Sequence, residues 1–267
     1  MNTETTPRIA SEGAVHLSIE AGVAAVVFNR PQARNAMTWA MYLQLGSICE
    51  RLQTARDVRV VTFRGAGGNA FVAGTDIEQF KAFSNGDDGV EYERKIDLGI
   101  SLIESLPMPT LAVIDGWTVG GGLAIATACD FRIATPASRF GVPIAKTLGN
   151  CLSIANLARL EAVFGLQRVR RMLLLAEILD ADEALACGFL EQLCEPAELD
   201  VAATRLCGRL AALAPVTQGV TKESLRRLRT SDLPAGEDLI RCCYGSADFH
   251  EGVDAFVGKR SPVWRGN

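Results

Sequence analysis

Leu111-Ala112-Val113-Ile114-Asp115-Gly116-Trp117-Thr118-Val119-Gly120-Gly121-Gly122-Leu123-Ala124 is the stretch on which the reading of this chain turns. Leu111 to Ile114 is a buried strand, Asp115-Gly116 is a turn, and a helix begins inside the triple glycine. A helix start presents backbone N–H groups with no intrahelical partner, at the positive end of the helix dipole. Glycine there lets a ligand come close to the backbone. Taken alone, three glycines in a row read more readily as a tight turn or close helix packing.

A second segment upstream has the same order of parts. Val58 to Phe63 is a buried strand, Gly65-Ala66-Gly67-Gly68 closes it, and Asn69-Ala70-Phe71-Val72-Ala73-Gly74-Thr75-Asp76-Ile77 leads into a helix after Thr75. Neither segment fits the glycine patterns of a nucleotide phosphate loop. Two backbone donors from two such helix starts, converging on one oxygen, would stabilise an enolate or a tetrahedral oxyanion. Thr75 and Gly121 are the candidate donors. A competing use exists: Thr75-Asp76-Ile77-Glu78 also reads as a capping box, in which Glu78 would take the Thr75 N–H. The two uses exclude each other. The oxyanion reading is preferred because Ala73 and Gly74 leave room for a ligand.

Working outward, Val15 to Ile19 alternates, Ala21-Gly22 turns, and Val23 to Phe28 is a near-continuous apolar run, together a hairpin entering a buried strand. Thr38 to Leu52 has helical periodicity, Ser84 to Asp88 is a polar loop, Val90 to Ser105 is a helix, and Phe131 to Ala134 is a short strand. Strands alternating with helices predict a parallel-leaning α/β sheet with crossover connections. From about Ser153 onward helices dominate, including 181–188, 199–213 and 221–228.

The 267 residues suffice for one sizeable core, and 48% hydrophobic with 22% charged residues is ordinary for a globular enzyme. A net charge of −4 argues against a nucleic-acid partner. The eight cysteines form no C-x-x-C pair and only His16 and His250 stand beside them, so no metal site is expected. The polar N-terminus carries no secretory signal and no apolar run is long enough to span a membrane, so a cytoplasmic protein with reduced thiols is expected.

Four stretches, taken together, resemble the crotonase (enoyl-CoA hydratase/isomerase) family: residues 29–37, residues 70–77, residues 109–122 with Cys129-Asp130, and residues 256–262. They occur in the family's order and span nearly the whole chain. The resemblance implies an α/β fold with a crotonase-like core of repeated ββα units (13–200) after a flexible tail (1–12). It implies a helical C-terminal trimerisation region (201–267) and a homotrimer or dimer of trimers. It implies an acyl-CoA thioester as substrate in fatty acid metabolism, with coenzyme A carried as part of that substrate and no separate cofactor. By position, Thr75 and Gly121 match the family's two oxyanion-hole N–H groups. Gln32, Ala33, Arg34, Ala73, Asp76 and Ile77 match segments lining the CoA channel, and Arg34 is suited to a CoA phosphate. Phe256 and Lys259 match residues that help hold the nucleotide end of CoA, often from a neighbouring subunit. Gly120 and Trp117, in the segment of the second donor, are also expected to bind substrate. Trp117, Met37, Trp39 and Phe71 are candidates for an acyl pocket and equally for core.

The chain departs from the family where the chemistry is done. The two carboxylates that handle water and a proton should stand at positions held here by Ala124 and Ile144, neither of which can transfer a proton. Lys146, Asn150, Glu91, Glu93, Tyr92 and Asp115 are the polar residues left to inspect. For each a structural role is the stronger reading: Asp115 as a turn residue, Glu91 and Glu93 as a solvated helix face, Lys146 as a surface cation. Asp76 and Asp130 read as helix caps or braces. Three functions stay open: acyl-CoA chemistry by other groups, a reaction such as decarboxylation in which the substrate brings its own reactive group, and CoA-ester binding without turnover.

Overall fold

The computed structural model describes residues 12–230, 233 and 235–265. The tail expected over 1–12 lies outside them apart from Glu12. The hairpin is present: β1 (Ala14–Glu20) pairs antiparallel with β2 (Val23–Asn29), Val15 opposite Phe28. A 3-10 turn at Pro31–Ala33 leads to α1 (Trp39–Gln53), started by Thr38, whose hydroxyl accepts the Met41 N–H at 3.3 Å.

The chain then repeats one unit. β3 (Val60–Gly65) turns sharply into β4 (Ala70–Ala73) and, after a 3-10 helix at Ile77–Ala82, into α2 (Gly86–Glu104). β5 (Thr110–Ile114) turns into β6 (Trp117–Val119) and α3 (Gly121–Ala128). β7 (Phe131–Ala134) turns into β8 (Arg139–Gly141) and the single turn α4 (Ile144–Thr147). The first strand of each unit joins one sheet and the second strand joins another. Next come α5 (Ile154–Phe164), α6 (Leu166–Leu174), β9 (Ile178–Asp180), α7 (Ala181–Ala186) and β10 (Gln192–Leu193). The chain closes with α8 (Leu199–Ala211), α9 (Pro215–Thr230), α10 (Glu237–Tyr244) and α11 (Ala247–Val257). The larger sheet runs β1-β2-β3-β5-β7-β10, parallel beyond the first hairpin, and the smaller runs β4-β6-β8-β9.

Residues read as one polar loop at Ser84 to Asp88 are in part the start of α2. The Asn85 side chain accepts the N–H of Asp87 and Asp88, and the Asp88 carboxylate accepts the Asn85 N–H, so the polar run is a capping box. The smaller sheet was not read from the residues, because its strands of three or four residues are too short for alternation to show.

The apolar runs serve two cores. Val61 and Phe63 of β3 face a large cluster with Phe28, Phe71 and Ile114, while Val60, Leu111, Val113 and Ile133 face Leu199, Leu206 and Leu210 of α8. Being buried on both faces is why these strands show no alternation. Each large apolar side chain removed from water contributes about 1.5–3 kcal/mol. One contact sets where α3 lies: a Cβ on Gly122 would stand 1.9 Å from the Val72 carbonyl oxygen, so only glycine lets this helix lie directly on β4. Among the described residues no helix is long and apolar enough to cross a membrane.

Candidate active site

Asn35 fastens the loops that carry the first donor. It is fully buried at φ 58°, accepts the Arg30 N–H at 2.9 Å, and donates to the carbonyls of Ala66 and Ala70, both at 2.9 Å. Arg30 is also buried and pairs with Asp76 at 2.8 Å. The two segments are then laced by backbone bonds: Ala73 N–H to Arg34 O, Met37 N–H to Gly74 O, and Asp76 N–H to Met37 O. The last two form an isolated parallel bridge between Met37 and Thr75. In that pattern the N–H of Thr75 itself points away from Met37.

The capping box expected to compete for this N–H is absent. The cap lies one residue later, at Asp76 ahead of the 3-10 helix, where its carboxylate accepts the Glu78 N–H at 3.2 Å, while the Glu78 carboxylate faces Lys81 at 3.8 Å. Asp76 is thus a cap and an ion-pair partner of Arg30. The bridge to Met37 holds Thr75 extended, which moves the helix start past it.

Gly121 is the first residue of α3, so its N–H has no intrahelical acceptor. Gly120 turns the strand into the helix at φ 53°. A Cβ on Gly121 would meet Thr75 Oγ1 at 3.3 Å and the Gly74 carbonyl carbon at 3.9 Å. The two glycine-rich segments therefore meet at Thr75 and Gly121, with the positive end of α3 directed at the junction.

Three hydroxyls stand at the same place. Tyr42 Oη lies 2.8 Å from Thr75 Oγ1, which lies 3.1 Å from Tyr92 Oη. Tyr92 is buried, and burial pushes the Tyr42 phenol up to about 12. The Trp39 ring packs on both tyrosines, with centroids 6.1 Å from Tyr42 and 5.6 Å from Tyr92.

Ala124 and Ile144, the residues aligned with the family's carboxylates by resemblance, lie near the start of two helices. Ala124 lines a small cavity with Gly120, Val142, Leu152, Asn156 and Arg159, and Ile144 opens α4. Of the polar residues left to inspect, Lys146 is exposed, Glu91 is exposed and paired with Arg94 and Lys95, and Asp115 accepts the Thr135 hydroxyl at 2.9 Å beside its turn. Asp130 is a brace: it accepts the Thr110 N–H at 2.7 Å and pairs with Lys222.

Glu93 does not belong to a solvated face. It is 2% exposed, accepts from Tyr244 Oη at 2.8 Å and from the Ser153 N–H at 2.9 Å, and burial pushes its carboxyl up to about 7. The helix turns this residue inward while Glu91, two residues earlier, faces water. Asn150 donates to Tyr244 Oη at 3.2 Å, which links the loop after α4 to the same group.

The remaining expected site residues are scattered. Gln32, Ala33 and Arg34 sit on the 3-10 turn beside Ala73, with Gln32 and Arg34 exposed, and Ile77 opens the 3-10 helix after Asp76. Met37 and Phe71 are fully buried, which makes them core. Trp117 is exposed at the outer end of β6, opposite Ala70 and Arg139. Phe256 and Lys259 are exposed at the end of α11 and just past it. Sequence reasoning passed over Tyr42, Asn35 and Tyr244. A signal existed for Tyr42, which follows Trp39 by three residues and so shares its helix face.

The chain is similar to known proteins over nearly its full length. Residues 18–267 match the family model described as Enoyl-CoA hydratase/isomerase. The chain is 30% identical to the short-chain-enoyl-CoA hydratase of Clostridium acetobutylicum, over 92% of this chain and 95% of that one. It is 32% identical to the (E)-benzylidenesuccinyl-CoA hydratase of Thauera aromatica, over 94% and 99%. Among solved structures, it superposes on an enoyl-CoA hydratase/carnithine racemase of Magnetospirillum magneticum with a TM-score of 0.78 and 32% identity, covering 95% of this chain and 96% of that one. It superposes on a methylmalonyl-CoA decarboxylase in complex with 2-nitronate-propionyl-CoA with a TM-score of 0.85 and 25% identity, covering 95% and 98%. The fold of ββα units and the match across nearly the full length place this chain in the enoyl-CoA hydratase/isomerase family, within the crotonase superfamily.

Proposed function

We propose that the chain binds an acyl-CoA thioester with its carbonyl oxygen between the N–H groups of Thr75 and Gly121, and acts by stabilising the enolate form of that thioester. The observation that carries this reading is the junction itself: a Thr75 N–H turned away from Met37 and not taken by Glu78, beside the first turn of α3 at Gly121. Donors fixed in place before charge develops are worth roughly 10²–10³ in rate each. Coenzyme A enters as part of the substrate. The loops bearing Gln32, Ala33, Arg34, Ala73 and Ile77 flank its path, Arg34 meets a phosphate, and Phe256 and Lys259 serve the nucleotide end. Asp76 supports that loop through Arg30 and its cap. Exposed Val216, Val220, Leu225 and Leu228 on α9 support assembly as a trimer or a pair of trimers.

Ala124 and Ile144 shape the chemistry within this reading. With no carboxylate at either place, addition of water across a double bond lacks its usual acid and base. A malonyl-type thioester needs neither to reach the enolate. Its C–C bond breaks, the electron pair moves into the thioester as CO₂ leaves, and the charge comes to rest on the oxygen at Thr75 and Gly121. The methylmalonyl-CoA decarboxylase neighbour supports this as the second, more specific reading.

Three assays on the purified protein separate the outcomes. Crotonyl-CoA is expected to bind with hydration at least about a hundred-fold slower than in a two-carboxylate hydratase. A malonyl-type thioester is expected to release CO₂. Robust crotonyl-CoA hydration would overturn the inference from Ala124 and Ile144, and absence of acyl-CoA binding by calorimetry would overturn the whole reading. Binding with no turnover of any thioester would leave a CoA-ester-binding protein.

A further inference from the structure

The proton inventory of the hydroxyl cluster points to a third donor. Each hydroxyl carries one proton. Among the described residues, Tyr92 Oη has Thr75 Oγ1 as its hydrogen-bond partner, and Tyr92 is 8% exposed. If Tyr92 accepted from Thr75, its own proton would be buried without an acceptor, at a cost of about 1–3 kcal/mol. So Tyr92 donates to Thr75. Of the two remaining protons one is left over, and since Thr75 is 8% exposed and Tyr42 less buried, the lower-cost arrangement has Thr75 donate to Tyr42. The Tyr42 proton is then the one left over, and Tyr42 is the less buried of the two tyrosines.

The location of that proton follows from Gly121. A Cβ on Gly121 would lie 2.6 Å from Tyr42 Oη. In a helix the Cα–Cβ bond tilts toward the N-terminus, the same end toward which the first N–H groups point. The Tyr42 hydroxyl therefore stands off the start of α3, beside Gly121 and 2.8 Å from the Thr75 side-chain hydroxyl, and the missing side chain of Gly121 is what leaves it room.

We propose that the Tyr42 hydroxyl donates a third hydrogen bond to the thioester enolate, oriented by the chain Tyr92 to Thr75 to Tyr42. This deepens the reading of Thr75 and Gly121 as oxyanion donors and rests on it. Tyr42 is catalytic in the sense that it touches substrate, whereas Tyr92 and the Thr75 side chain are positioning groups. With its phenol held high by burial, Tyr42 keeps its proton across the working pH range and acts as a donor rather than a base.

Calorimetry with two ligands tests this. One is propionyl-CoA, whose carbonyl is neutral. The other is a nitronate-bearing CoA thioether, whose anionic oxygens mimic the enolate. Tyr42→Phe is expected to weaken propionyl-CoA by only a few-fold, the scale of a hydrogen bond to a neutral carbonyl, and to weaken the nitronate roughly ten- to a hundred-fold, the scale of one to a charged group. Thr75→Val keeps the backbone N–H but removes the orienting hydroxyl, and is expected to lose selectively for the nitronate as well, by a smaller factor. Unchanged nitronate affinity in Tyr42→Phe overturns the proposal, and so does an equal loss for both ligands, the mark of a structural role. If the wild type binds neither ligand, the reading beneath it fails first.

Discussion

Single residues carry the geometry of this site more than any pair of charges does. Gly122 brings α3 onto β4, Gly121 leaves space for the Tyr42 hydroxyl, and Asn35 ties the two loops on which Thr75 depends. Because a Cβ on Gly122 would meet backbone at 1.9 Å rather than the end of a flexible side chain, Gly122→Ala must push α3 away from β4. Overpacking of this kind costs about 1–3 kcal/mol. Denaturant unfolding is expected to show that loss, with acyl-CoA affinity falling alongside it as the helix start moves off the Thr75 N–H. Wild-type stability with undiminished binding would mean that the close approach of α3 is not what fixes the donor.

At the scale of elements, α2 and α5 are joined through buried charge. Arg159 of α5 reaches Glu104 at 3.1 Å and Asp97 at 2.9 Å on α2, and Glu93 on α2 receives the Ser153 N–H at the start of α5. Burial raises the Glu93 carboxyl from its ordinary 4.5 to about 7. The folded protein therefore holds this proton over a range where the unfolded chain has released it. The resulting stabilisation is complete below pH 4.5 and is lost as pH rises through 7. For a shift of this size the loss is on the order of 3 kcal/mol. Glu93→Gln keeps the shape and cannot ionise, so its stability relative to wild type is expected to rise between pH 4.5 and pH 7.5 in chemical unfolding. A pH-independent difference between the two proteins would contradict the buried, proton-holding assignment. The apolar periodicity of α2 showed in the sequence, but not which of Glu91 and Glu93 turned inward. That choice is made by Tyr244, 151 positions later, and no local pattern reports it.

Across the whole molecule, what was legible in the sequence depended on range. The hairpin, the long strands and α1 were legible because their signals lie within ten or fifteen residues: alternation, apolar runs, and Thr38 as a cap. The second sheet was not, since β4, β6 and β8 are three or four residues long and become strands only by pairing with one another. It entered through family resemblance. The two glycine-rich segments proposed to supply the oxyanion donors were legible, Gly121 at a helix start and Thr75 ahead of one, while Tyr42 was not, because its place beside Gly121 is set by packing of α1 against segments thirty and eighty residues away. In the proposed function the assembled fold polarises a thioester carbonyl with the backbone N–H groups of Thr75 and Gly121. Isotope-edited infrared spectroscopy of a bound acyl-CoA carrying ¹³C at the thioester carbonyl measures this directly. The expected result is a carbonyl band at lower frequency than that of the free thioester in water. A band left at the free-solution frequency in the bound complex would contradict it.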